Sequence, residues 1–176
     1  MDFDEAIEIA LKTWYPKDDG LHFNPHHPLG KLLGEWGELL DDYMKSLYKP
    51  GYIFEPEDEL GDIWYYLRIL CYQKKIYPRK IDYIVFPEIN VIINFQDDNT
   101  DILIKSAIYN MAQNSLIIEK NSKSMIYPEL SMACQISIII EIARRYNLTL
   151  DDLTHSNWEK LKPGSERGGE WMKTRG

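Results

Sequence analysis

Two consecutive helical segments, each carrying a pair of acids along the edge of its apolar stripe, restrict this chain more than any other feature. The first reads Gly30-Lys31-Leu32-Leu33-Gly34-Glu35-Trp36-Gly37-Glu38-Leu39, and the second Glu59-Leu60-Gly61-Asp62-Ile63-Trp64-Tyr65-Tyr66-Leu67. At about 100° per residue, Leu32, Trp36, Leu39, Leu40 and Tyr43 gather on one stripe, flanked by Lys31, Glu35, Glu38, Asp42, Lys45 and Lys49. In the second segment Leu60, Ile63, Trp64, Leu67, Leu70 and Cys71 form the stripe, bordered by Glu55, Glu59, Asp62 and Tyr66. Residues three apart are neighbours on a helix face, so Glu35 with Glu38, and Glu59 with Asp62, each present two carboxylates side by side. A short link makes the two helices antiparallel neighbours and lets their polar edges face each other. Four carboxylates in one place repel and raise one another's pKa unless a cation joins them. Hard oxygen donors with no Cys or His among them suit Mg²⁺, Mn²⁺ or Ca²⁺ rather than zinc.

The rest of the chain predicts further helices. Phe3, Ala6, Ile7, Ala10, Leu11 and Trp14 recur at helical spacing over residues 3–14. Residues 15–27 form a loop whose His22, His26 and His27 either stay solvated or meet a ligand. The second helix runs from about Pro28 to Leu47, Pro50-Gly51 marks a turn, and Pro56 opens a third helix reaching about Lys75. Gly34 and Gly37 cost that second helix roughly 1 kcal/mol each against Ala, which predicts a packing or binding reason for them. Tyr83-Ile84-Val85-Phe86 and Val91-Ile92-Ile93-Asn94-Phe95 form a small hairpin or an extended packed loop. Further helices follow Thr100 and Pro128, and a last short one follows Thr149, where Thr149 and Asp152 resemble a capping box. The fold class is therefore all-α and single-domain, with an insertion at about 76–127 and a tail, 164–176, expected to be mobile unless a ligand orders it.

With 176 residues, 44% of them hydrophobic and 27% charged, the chain can build one proper core. A net charge of -8 argues against a nucleic-acid polymer as main partner, because such binding is mostly phosphate neutralisation by Lys and Arg. A small phosphorylated ligand is compatible if a metal carries the counter-charge. The acidic start, Met1-Asp2-Phe3-Asp4-Glu5, lacks the features of a signal peptide, and no apolar run reaches membrane length. Cys71 and Cys134 sit at apolar positions without metal spacing, which predicts reduced thiols in a cytoplasmic protein. A di-iron carboxylate bundle needs Glu-x-x-His pairs, and none of His22, His26, His27 and His155 stands three residues after a Glu.

The two acid-bearing segments resemble the MazG-type, all-α nucleoside triphosphate pyrophosphohydrolases, whose signature is E-x-x-E on one helix and E-x-x-D on the next, with Gly between the acids. The match is close over residues 28–70. It extends to Asn157-Trp158-Glu159-Lys160-Leu161, which is similar to the family's closing Asn-x-x-Lys-Leu segment. The resemblance implies a four-helix-bundle core and a homodimer or homotetramer. It further implies Mg²⁺ (with Mn²⁺ as substitute) held by Glu35, Glu38, Glu59 and Asp62, and cleavage of a (d)NTP to (d)NMP and pyrophosphate. In that scheme Glu38 is the base for the attacking water, and Lys31, Lys45, Lys49, Asn157, Lys160 and Arg167 are candidates to bind the substrate. Trp14, Trp36, Tyr66 and Trp158 either stack on a base or belong to the core. Where the family has an arginine three residues after the closing Leu, this chain has Gly164, with Arg167 nearby. The other reading is a nucleotide-binding regulatory protein of the same fold without turnover.

Overall fold

The computed structural model describes residues 3–14, 26–75, 99–119, 128–162 and Ser165. These hold six helices and no strand: α1 (Phe3–Thr13), α2 (His26–Tyr48), α3 (Glu57–Lys74), α4 (Thr100–Glu119), α5 (Pro128–Arg145) and α6 (Leu150–Leu161). The all-α expectation holds for this part of the chain. None of these helices is long and apolar enough to cross a membrane.

Helix α3 is the centre of the arrangement. It packs against α1, α2, α5 and α6, while α2 also lies against α4, and α4 against α5. Its sequence explains the position: Leu60, Ile63, Trp64, Leu67, Leu70 and Cys71 are all buried, as their periodicity predicts. Tyr65, Arg68 and Ile69, on other sides of the same helix, are buried as well. The main core joins α3 to Leu32, Trp36 and Leu39 of α2, Leu103, Ile104 and Met111 of α4, and Ile138, Ile139 and Ile142 of α5. A second, smaller core joins Ala10 and Trp14 of the α1 segment to Tyr65 and Ile69. Arg68 completes that contact. Its Nη1 donates to the Ala6 carbonyl at 2.6 Å, its Nε donates to the Trp64 carbonyl at 3.2 Å, and its guanidinium lies 5.4 Å from the Trp64 ring centroid. Burial pulls its pKa down to about 10, which leaves the cation intact at neutral pH.

The link between α2 and α3 turns at Gly51, whose φ of +77° favours glycine. Phe54 then tucks in edge-on between the rings of Tyr43 and Tyr146, 5.2 Å from each. At the other end of the chain, α6 starts on the expected capping box. Asp152 N–H donates to Thr149 Oγ1 at 3.2 Å and Thr149 N–H to Asp152 Oδ2 at 2.8 Å. Buried Trp64 Nε1 donates to Thr154 Oγ1 at 2.9 Å, tying α6 to α3. Gly61 is the closest approach, since a Cβ there would stand 3.4 Å from the Leu153 carbonyl oxygen and 3.7 Å from Asn157 Cβ.

Three expectations change here. Helix α2 starts at His26, two residues before Pro28, which a proline in the first turn permits. Residues 100–119, assigned to the insertion, form a helix whose Leu103, Ile104, Ala107 and Met111 are part of the main core. The hairpin reading at 83–95 and most of the tail lie outside the described residues. Among the described residues nothing packs on Gly34 or Gly37, because a Cβ on either meets none of their atoms within 4 Å. Helix propensity then sets the sign of a substitution: Gly34→Ala and Gly37→Ala should each stabilise the fold by about 0.4–1 kcal/mol. Gly61→Val, against the α6 backbone, should destabilise it by about 1–3 kcal/mol. Urea unfolding of the three variants checks these opposite signs.

Candidate metal centre

The apolar stripes set the acids' positions. With Leu32, Trp36 and Leu39 of α2 and Leu60, Ile63 and Trp64 of α3 pressed into one core, the strips beside them come together. One carboxylate oxygen each from Glu35, Glu38 and Glu59 lies within 4.8 Å of the others. Glu35 and Glu59 are partly buried, and Glu38 is exposed. The Glu35 carboxyl is pushed up to about 7, first by burial and then by the negative charges of Asp62, Glu38 and Glu59, with Lys31 opposing. Glu59 is raised for the same reasons, burial first and then Asp62 and Glu38, with Lys160 opposing. The donors are all carboxylate oxygens, and they carry more negative charge than their surroundings offset. Such a set fits a hard divalent cation such as Mg²⁺ or Mn²⁺.

Asp62, expected as a fourth ligand, is not one of the three converging acids. Its Oδ1 accepts from Asn157 Nδ2 at 2.6 Å and from Lys160 Nζ at 3.3 Å. It still lies close enough to act electrostatically on both Glu35 and Glu59. Lys160 also reaches Asp58, at 3.2 Å from Oδ1 and 3.3 Å from the carbonyl oxygen. Asp58 is absent from the sequence-derived site. Its place four residues before Asp62, on the same helix face, is the signal that points to it.

The basic residues divide. Lys31 is exposed one turn ahead of Glu35 and acts on it electrostatically. Lys45 instead bonds Asp41 at 2.7 Å and Asp42 at 3.2 Å, and Asp42 also accepts from the Tyr52 hydroxyl at 2.7 Å. The Asp41 bond, with Asp42 second, holds the Lys45 ammonium well above its ordinary range. Lys49 stands 5.4 Å from the Tyr52 ring centroid. Lys45 is thus engaged by acids of its own helix and Lys49 by the ring of Tyr52, and these contacts lend no support to a role on a substrate. Asn157 and Lys160 meet Asp62, as above, and Arg167 lies outside the described residues. Among the aromatics, Trp36 is fully buried and Trp14 lies in the smaller core, so neither is open to a base, whereas Tyr66 and Trp158 are partly exposed. His155 is exposed on α6, and the side chains of His26 and His27 are outside the described set.

The raised carboxyls make stability depend on pH. Below 4.5, the ordinary value, Glu35 is neutral in both folded and unfolded chains. As pH rises towards about 7 the unfolded chain has released this proton while the fold retains it, so the stability present at low pH is progressively lost. Without divalent ions, Glu35→Gln should therefore melt at a higher temperature than the wild type at pH 8 and close to it at pH 4. Mg²⁺ should raise the wild-type midpoint more at pH 8 than at pH 5. Thermal unfolding by circular dichroism across pH, with and without Mg²⁺, measures both. No protein-family model matches this chain, and neither a curated protein nor a solved structure shows significant similarity to it.

Proposed function

We propose that this chain is a Mg²⁺-dependent nucleoside triphosphate pyrophosphohydrolase of the MazG-type, all-α kind that its sequence resembles, with a four-helix-bundle core. It would cleave a (d)NTP to (d)NMP and pyrophosphate. The observation that carries the reading is the convergence of Glu35, Glu38 and Glu59 from two packed helices, with two of the three carboxyls raised by burial and mutual charge.

Bound Mg²⁺ supplies charge neutralisation at the phosphates and a lowered pKa for water. The chain's own part is positioning. Glu35 and Glu59 are anchored beside the core and form an array that needs little rearrangement on binding. Glu38, the exposed member, takes the proton of the attacking water on a carboxylate oxygen. The water oxygen bonds to the α-phosphorus, the α–β anhydride bond breaks, and the bridging oxygen leaves with pyrophosphate. Lys31 and Lys160 are the cations that act electrostatically on this centre and can meet a polyphosphate. A homodimer or homotetramer accords with the exposed apolar side chains Leu47, Tyr48 and Ile53 where α2 ends, and sedimentation equilibrium tests it.

A panel of ribo- and deoxynucleoside triphosphates with Mg²⁺, read for monophosphate and pyrophosphate, tests the activity. Glu59→Gln should lower turnover by more than about 100-fold, beyond the loss typical of an outer-shell partner, and Glu38→Gln should abolish it without abolishing metal binding. Metal-dependent nucleotide binding with no pyrophosphate from any substrate would select the regulatory binder. That alternative gains weight from the engagement of Lys45 and Lys49 elsewhere. A further outcome separates the lysines: Lys31→Met should raise KM, whereas Lys45→Met should leave kcat and KM within about threefold of wild type, the value of an exposed ion pair being small.

A further inference from the structure

We propose that Lys160 is a built-in counter-cation of the acid centre, which a divalent ion displaces from Asp62 and thereby releases towards an anionic ligand. Asn157 and Lys160 are then positioning residues that act through Asp62. This rests on the divalent-metal reading of the centre.

Asp62 belongs electrostatically with Glu35 and Glu59, yet its Oδ1 is held from the opposite helix by one neutral and one charged donor. The two donors differ in how they are held. Asn157 is 2% exposed, its Cβ lies against Gly61, and the α6 backbone around it is fixed by the Trp64–Thr154 bond. A short, buried amide so placed keeps its bond to Asp62 whatever else enters. Lys160 stands at the end of a flexible four-carbon stem, and its ammonium is shared among Asp62 Oδ1, Asp58 Oδ1 and the Asp58 carbonyl. No single one of those bonds specifies it, and their lengths, 3.2 to 3.3 Å, exceed those of a tight charge-assisted pair.

A carboxylate has several acceptor positions, so Asp62 can keep Asn157 while its charge turns to a metal ion. A divalent ion at the Glu35–Glu38–Glu59 centre repels an ammonium bonded to the neighbouring carboxylate. The ammonium must then move, and a polyphosphate brought to the same centre is the partner that offsets its charge. Metal loading and anion binding are thereby linked with positive sign, through a side chain that opposes the metal when it is alone and assists when the anion is present.

The test is the affinity for Mn²⁺ alone, read by electron paramagnetic resonance on the full chain without nucleotide, for wild type, Lys160→Met and Lys160→Arg. Loss of one positive charge a carboxylate away from a divalent ion should tighten Mn²⁺ binding roughly three- to tenfold at moderate salt. Lys160→Arg, which keeps the charge, should remain within about twofold of wild type. The same Lys160→Met protein, once loaded, should bind a non-hydrolysable triphosphate more weakly than wild type. Unchanged or weaker Mn²⁺ binding in Lys160→Met overturns the inference, leaving Lys160 a structural tie between α6 and α3. A wild type that binds no Mn²⁺ removes the metal reading itself, and this inference with it. Should Lys160→Met fail to fold, Lys160→Gln makes the same charge change and is read by the same criteria.

Discussion

Burial of α3 on almost every side is the constraint from which the site follows. Between Glu59 and Cys71 the helix has three residues that are not buried, Glu59, Asp62 and Tyr66, all on one strip. Neighbouring helices occupy the other directions. Polar side chains on such a helix have one place to go, and α2 closes one side of that place with its own acid edge. The half-burial that raises Glu35 and Glu59 is therefore a product of core packing.

Ion pairs among the described residues fall into two kinds, with different consequences. Lys45 with Asp41 and Asp42, Lys105 with Asp101, and Arg144 and Arg145 with Glu141 all join residues three or four apart on one helix. Such pairs support their own helix by a few tenths of a kcal/mol and specify nothing about the neighbours. Lys160 with Asp62 and Asp58 joins positions about a hundred residues apart, beside the Trp64–Thr154 bond and the close approach at Gly61. This second kind places α6, which carries no acid of the centre, in electrostatic contact with it.

The same distinction explains how much was legible in the sequence. Stripes of period 3.6 gave away the helices and the acid edges, because burial pattern and spacing are local properties. The Thr149–Asp152 cap was legible for that reason too. The contacts of Lys45 were legible too: Asp41 and Asp42, four and three residues before it, already offered the ion pairs that engage it. Asn157 and Lys160 could be marked as functional by resemblance, but not placed on Asp62, because nothing local relates positions 62 and 160. The glycines show the limit most plainly. Gly34, Gly37 and Gly61 read alike in sequence, and only the position of α6 makes the third the one that packs. The all-round burial of α3 was hidden because Arg68 counts as polar in any pattern, while its actual acceptors include a carbonyl on α1, 62 residues away.

Arg68 and Glu59, carried by the same helix, sit in opposite electrostatic surroundings. Arg68 is 1% exposed, yet two carbonyl oxygens and the face of Trp64 receive its guanidinium, so that it remains charged and holds α1 in place. Its environment is built for the charge it bears, which is what a structural ion requires. Glu35 and Glu59 are more open to water and are nevertheless raised, first by burial and then by the other carboxylates, with Lys31 and Lys160 opposing. A cluster of acids so placed is one that a ligand of opposite sign would relieve. Its all-oxygen donor set is of the kind that suits a hard divalent cation, the ligand proposed for it.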